Sequence, residues 1–339
     1  MLTTRFTRAF ALDHPIMLAP MALAGGGELA AACAEAGAYG LVGGGYGDLD
    51  WTRREWGLAS KRLANRAAVQ HIGCGFITWK LDEDASALDW VLDQPMPPKA
   101  VFLSFGDPRP YAARITAAGA RLVCQVQRLN QVAPAIEAGA AVIVAQGGAA
   151  GGHGAAAAVA RSTTVLVPEI ADWLAKHAPD VLLLAAGGIA DGRGLAAHLL
   201  LGADGVVVGS RLWASREALA SPAAKEIALV SDGDATARSA IFDVLRRKNW
   251  PRDYDFRALR NELHRQWEGR EGELLAGPDA ARAEFDSAVA AGDFTRANVT
   301  VGEAVGLIRD LPGAAELIAR LAEDGEQVLA GARGFLRSA

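Results

Sequence analysis

Residues 181–211 read VLLLAAGGIADGRGLAAHLLLGADGVVVGSR. An aliphatic run over 181–186 breaks at Gly187-Gly188, gives way to a helical period over 191–201, and stops at Gly202. It then resumes as a second aliphatic run over 205–208, which breaks at Gly209-Ser210-Arg211. A buried strand, a glycine turn, a helix closed by glycine and a second buried strand make one βα repeat of a parallel sheet. The helix-to-strand junction recurs at Glu35-Ala36-Gly37-Ala38, Ala118-Gly119-Ala120 and Ala138-Gly139-Ala140. One connection used four times points to a repeated βα unit.

Further strands are expected at 16–19, 39–42, 71–77, 100–105, 121–125 and 141–146, which with 181–186 and 205–208 make eight. Helices are expected at 28–36, 108–118, 129–138 and 191–201. A doubly wound open sheet shares the alternation, but eight units over this length match an α/β (β/α)8 TIM barrel. After Trp213 the rhythm stops. The region 244–273 is dense in Arg, Glu and Trp, with Asn249-Trp250-Pro251 as a break, and helical periodicity returns over 302–329. The expected organisation is a barrel core over 1–214, a mainly helical appendage over 215–300 covering the site, and C-terminal helices over 301–339 returning to the barrel.

The 339 residues are 51% hydrophobic and 22% charged, which excludes disordered and collagen-like chains. With 34 basic and 39 acidic residues the net charge is −5, so no global positive field recommends nucleic acid as a partner. Cys33, Cys74 and Cys124 have no metal-ligand spacing and read as reduced and structural. No secretory h-region and no run of eighteen apolar residues occurs, so neither a membrane nor export is expected and a cytoplasmic location is. The appendage could serve a homodimer contact.

In an eight-stranded barrel the active site lies at the C-terminal strand ends. Gly187-Gly188 and Gly209-Ser210 follow the last two strands, and a phosphate needs converging amide donors with no Cβ in the way. A phosphorylated cofactor or substrate is expected there. The sixth strand runs into Gln146-Gly147-Gly148-Ala149-Ala150-Gly151-Gly152-His153-Gly154. A histidine in so glycine-rich a loop is placed for proton transfer against a bound ligand. His14, His71, His177, His198 and His264 lack this setting. The first strand ends in Ala19-Pro20-Met21, where proline fixes the exit of the chain. Trp79, Tyr46 and Trp213 are candidate apolar walls.

Taken together, Ala19-Pro20-Met21, the segment 145–154, Ala186-Gly187-Gly188-Ile189-Ala190-Asp191 and Gly209-Ser210-Arg211 resemble the nitronate monooxygenase family, formerly 2-nitropropane dioxygenases. The resemblance implies an FMN-dependent, metal-free TIM barrel that uses O2 to oxidise an alkyl nitronate or nitroalkane. By position it implies that Gly187, Gly188, Val207, Val208, Gly209 and Ser210 hold the phosphate, that Pro20 and Met21 lie beside the isoalloxazine, that Gln146 and Gly151 contact the cofactor, and that His153 is the catalytic base. Three positions depart from the family pattern: Gly75 stands where Asn is frequent, Ala149 where Glu is, and Val207 where Gln is. An FMN-dependent NAD(P)H enoyl or quinone reductase and a flavin-free phosphate-binding barrel are the alternatives.

Overall fold

The computed structural model describes residues 2–335. Eight parallel strands form the barrel: β1 (Ile16–Leu18), β2 (Gly40–Gly45), β3 (Ile72–Ile77), β4 (Ala100–Ser104), β5 (Arg121–Val126), β6 (Val142–Gln146), β8 (Leu182–Ala186) and β9 (Gly205–Val208). Their order is β1-β9-β8-β6-β5-β4-β3-β2, and a parallel bridge between Met17 and Tyr39 brings the two ends together. All eight strands lie where the repeat predicts them. The junction glycines explain why: Gly37, Gly119, Gly139 and Gly202 have φ of 75°, 76°, 87° and 98°, each ending a helix in the left-handed region that glycine enters without a Cβ penalty.

Side chains alternate between two apolar layers. On β6, Val142 and Val144 face the barrel interior while Ile143 and Ala145 face the helices, and on β8 Leu182 and Leu184 oppose Leu183 and Ala185 in the same way. A short helix, Arg5–Phe10, closes the bottom of the barrel, with Phe6 fully buried and Phe10 edge-on to Tyr39. Polar chemistry is thereby confined to the opposite, C-terminal rim.

Beyond Trp213 the appendage carries helices Pro222–Leu229, Ile241–Leu245, Glu262–Trp267, Glu271–Ala276 and Asp279–Ala291. It also carries two strands, β10 (Thr236–Ser239) and β11 (Tyr254–Leu259). These form an antiparallel sheet of order β10-β11-β7, in which β7 (Gly152–Ala155) is the end of the glycine-rich segment expected as a loop. The difference has a physical reason. Gly-His-Gly-Ala shows no alternation of apolar and polar residues, and its ladder partner lies about a hundred residues later, with His153 opposite Phe256.

The chain then returns to the barrel through helix Ala314–Gly331, which lies against helix Gly192–Leu200 so closely that a Cβ on Gly192 would stand 2.3 Å from the Gly325 amide. Met1 and residues 336–339 of the expected first and last segments lie outside the described residues. Among the described residues no helix is long and apolar enough to cross a membrane.

Candidate functional site

A cavity of about 600 Å³ opens at the C-terminal rim, within the range of roughly 300–1,000 Å³ usual for cofactor and ligand sites. One half is built from backbone. Gly187 and Gly188 follow β8 with φ of 103° and 79°, conformations open to glycine, and Gly209 and Ser210 follow β9. A Cβ on Gly187 would come within 2.9 Å of the Gly147 carbonyl, whereas one on Gly209 would meet Ala19 Cβ at an ordinary contact distance of 3.6 Å. Ser210 Oγ accepts from the Gly302 amide at 2.8 Å, tying the returning chain to this turn.

The glycine segment 147–152 forms the adjoining wall, and two arginines from the appendage hold it. Arg238 Nη2 donates to the Ala150 carbonyl at 2.7 Å and the Gly148 carbonyl at 3.3 Å, and its Nη1 donates to Asp255 at 2.6 Å and Gly152 at 3.4 Å. Arg257 Nε donates to the Gly148 carbonyl at 3.1 Å, while its Nη2 meets Glu303 at 2.7 Å. The two arginines stand directly opposite each other on β10 and β11, a placement that is unfavourable for like charges unless other groups compensate. Burial, and then Arg257, lower the Arg238 pKa to about 10, so its charge survives at neutrality. The carbonyls of the glycine segment supply the compensation.

The other half of the site is an aromatic chamber around His153. Its side chain is only 8% exposed, and Nε2 lies 2.9 Å and 3.1 Å from the two carboxylate oxygens of Asp243, itself 5% exposed. Trp250 stacks on the imidazole with ring centres 3.4 Å apart and planes 11° from parallel, and its Nε1 donates to Tyr46 Oη at 3.1 Å. Phe256 and Phe105 close the remaining sides. Burial, reinforced by Arg246 and Arg238, holds the His153 pKa well below its ordinary value. Burial also pushes the Asp243 carboxyl up to about 7, with Arg246 pulling the other way. With Asp243 ionised, Nε2–H donates to it and Nδ1 carries the lone pair; among the described residues Nδ1 has no hydrogen-bond partner. That arrangement can accept a proton at Nδ1.

The structure brings Pro20, Met21, Gln146, Gly151, Gly187, Gly188, Val207, Gly209, Ser210 and His153 to one cavity. Val208 is the exception: it points into the helix-facing layer, fully buried, and its carbonyl accepts from the Ala19 amide. Gln146 spends its amide within the protein, donating to the His153 carbonyl at 3.0 Å and accepting from Gln127 at 3.1 Å. Tyr46 and Trp213 line the cavity, whereas Trp79 stands behind Trp250 at 5.4 Å. The glycine at position 75 has a steric reason, since a Cβ there would lie 2.3 Å from the Pro20 ring, which fills the place of the missing side chain. Asp243, Arg246, Trp250, Gln125, Arg238 and Arg257 were not legible as site residues. The first three belong to helix Ile241–Leu245 and the chain just after it, and nothing local in that stretch marks it as facing His153 on β7.

A closed βα barrel with a glycine-built rim and a buried histidine–carboxylate pair beside it defines a class of cofactor-binding barrel enzymes. Comparison narrows the class. The family model described as nitronate monooxygenase matches residues 55–324. The chain is 32% identical to the nitronate monooxygenase of Neurospora crassa over 93% of its own length and 90% of the relative's. Among solved structures, FabK from Thermotoga maritima superposes with a TM-score of 0.82 at 26% identity, covering 99% of this chain and 100% of that one. The nitroalkane oxidase of Streptomyces ansochromogenes gives 0.75 at 25% identity, with 97% and 100% covered. The chain belongs to the nitronate monooxygenase family and is a flavin-dependent oxidoreductase.

Proposed function

We propose that the protein binds FMN in the glycine-lined half of the cavity and oxidises alkyl nitronates with O2 to a carbonyl compound and nitrite, with His153 as the base for neutral nitroalkanes. The observation that carries this reading is the contiguity of two sites: the backbone cradle at Gly187, Gly188, Gly209 and Ser210 and the buried His153–Asp243 pair line one cavity. The lining fits the cofactor. Side chains at the cradle glycines would narrow it, and Gln125 Nε2, on the cavity wall, is buried with no hydrogen-bond partner among the described residues, free for a ring carbonyl or nitrogen. Gly187, Gly188, Gly209 and Ser210 would hold the phosphate, with Pro20 and Met21 along the ring.

When bound, the flavin supplies the redox chemistry. The chain's own residues do the rest. Asp243 holds the imidazole through Nε2 and leaves Nδ1 to take the α-proton of a neutral nitroalkane, a step that a preformed nitronate does not need. The aromatic faces of Trp250, Phe105 and Phe256 exclude water around that proton. Arg238 and Arg257 hold the carbonyls of Gly148, Ala150 and Gly152 and so fix the wall that the glycine segment makes.

The test is the visible spectrum of the purified protein followed by nitrite release from a nitronate in air. A yellow protein that releases nitrite is expected. A colourless protein that takes up no FMN would overturn the reading in favour of a flavin-free barrel. A yellow protein that makes no nitrite, but whose flavin bleaches rapidly and anaerobically with NADH or NADPH, would overturn it in favour of a reductase.

A further inference from the structure

Four buried or half-buried arginines stand at the rim, and three of them have both Nη nitrogens taken up by protein acceptors. Arg238 is taken up by four carbonyls, Arg257 by Gly148, Thr236 and Glu303, and Arg211 by the Asp310 carbonyl and carboxylate. Arg246 differs. It follows helix Ile241–Leu245, one turn after Asp243, and its guanidinium lies over the Phe256 ring with Cζ 4.7 Å from the ring centre. Its Nη1 is buried and has no hydrogen-bond partner among the described residues. The nearest carboxylate oxygen, Asp243 Oδ1, is 3.9 Å away, beyond hydrogen-bond reach, and is held at 2.9 Å by His153 Nε2. Arg246 nevertheless lines the same cavity as His153, Tyr46 and Trp250. Besides the Asp243 carboxylate, a second positive charge stands nearby, with Lys248 Nζ 4.3 Å from the Tyr46 ring centre.

Tyr46 is a hydrogen-bonding neighbour of the guanidinium, yet Nη1 stays a buried cationic donor without an acceptor, which is costly and which a bound anion would relieve. The planar fork of a guanidinium matches two oxygens on one atom, the geometry shared by a nitronate, a nitro group and nitrate. We infer that Arg246 is the anion-recognition residue of the chamber, pairing with the two oxygens of the nitronate while His153 faces the adjoining carbon. The inference rests on the nitronate reading and adds to it a residue that discriminates by charge.

The two substrate forms then depend on Arg246 in different ways. A nitronate carries its full charge on arrival, so Arg246 acts on its binding. A neutral nitroalkane acquires that charge only as the proton leaves, so Arg246 acts on the rate.

The experiment uses FMN-loaded wild type, Arg246→Gln and Arg246→Lys. For Arg246→Gln the KM for nitronate should rise by roughly tenfold to a hundredfold, while for the neutral nitroalkane kcat should fall with KM little changed. Arg246→Lys should recover part of both losses. Nitrate, used as an unreactive probe, should perturb the flavin absorbance of wild type saturably and that of Arg246→Gln weakly. An unchanged nitronate KM and nitrate response in Arg246→Gln would overturn the inference, as would equal KM rises on both substrates. If Arg246→Gln does not hold flavin, the wild-type titration decides, because a wild type without a saturable nitrate response has no such site. Failure of wild type to release nitrite from any nitronate would instead sink the oxidation reading, leaving the nitrate titration to judge the anion site.

Discussion

The two halves of the cavity are built on opposite principles. The cradle at Gly187–Gly188 and Gly209–Ser210 is made of backbone, on turns between consecutive elements, and needs only the absence of side chains. The chamber is made of side chains drawn from distant places: His153 from the chain after β6, Asp243 and Arg246 from the appendage ninety residues on, and Trp250 from the turn beyond them. A backbone site survives most surface changes and fails when a Cβ enters it. A side-chain site fails one function at a time, depending on which partner is lost.

Breaking the cradle should have the largest effect. Gly187→Val forces a β-branched residue to a φ of 103° and drives its Cβ to 2.9 Å from the Gly147 carbonyl. The strain costs about 1–3 kcal/mol, and the variant should elute colourless, with FMN affinity too weak to measure by fluorescence titration. Flavin retained at wild-type affinity would show that the turn does not carry the phosphate.

Breaking the chamber should leave the colour and change the chemistry. Asp243→Asn replaces a carboxylate that can only accept from Nε2–H by an amide that can also donate to Nε2, so the proton is no longer held there, and turnover of neutral nitroalkane should fall by roughly tenfold to a thousandfold while flavin content is unchanged. The pH dependence follows from the same pair. Asp243 is pushed up to about 7, so the base-competent form, with the carboxylate ionised and the Nδ1 lone pair free, is lost as pH falls through about 7 and gained as it rises. Neutral nitroalkane turnover should therefore climb across that range in wild type and lose this step in Asp243→Asn, as measured by initial rates on freshly prepared neutral substrate. A profile unaltered by the substitution would remove Asp243 from the proton path.

The smallest expected effect lies where the two halves meet. Arg238→Met leaves the carbonyls of Ala150, Gly152 and Asp255 without their side-chain donor and that of Gly148 with Arg257 alone. Loss of those bonds should weaken FMN binding by about tenfold and destabilise the protein by about 1–3 kcal/mol, with the melting temperature and an FMN titration as readouts. Arg238→Lys should restore some of the affinity if charge matters as well as geometry.

This contrast also explains what could be read in the sequence. The barrel was legible because its signals are local: aliphatic runs of strand length, and glycine at the left-handed helix ends of the repeat, Gly37, Gly119, Gly139 and Gly202. The cradle was legible for the same reason, since Gly187 and Gly188 can be recognised without knowing what they face. His153 could be singled out among six histidines by the glycines around it. Its partner could not. Asp243 sits in the ordinary helical sequence Ile241–Leu245, and Asp-x-x-Arg is the spacing of many exposed ion pairs. Only the antiparallel sheet joining β7 to β11 brings that helix to the imidazole, and the Gly-His-Gly-Ala strand that makes the junction has no side-chain pattern to announce it. Val208 marks the limit of positional inference: one residue from Val207 on a strand, it necessarily points to the opposite face.

The proposed chemistry turns on His153 taking the substrate proton beside a flavin held by the glycine cradle. The most direct test is turnover of a neutral nitroalkane and of its preformed nitronate by flavin-loaded His153→Asn, each relative to wild type. A loss of roughly a hundredfold to ten-thousandfold is expected on the neutral form, with a loss of no more than a few fold on the nitronate and unchanged flavin content. Equal losses on the two forms, with flavin still bound, would contradict it.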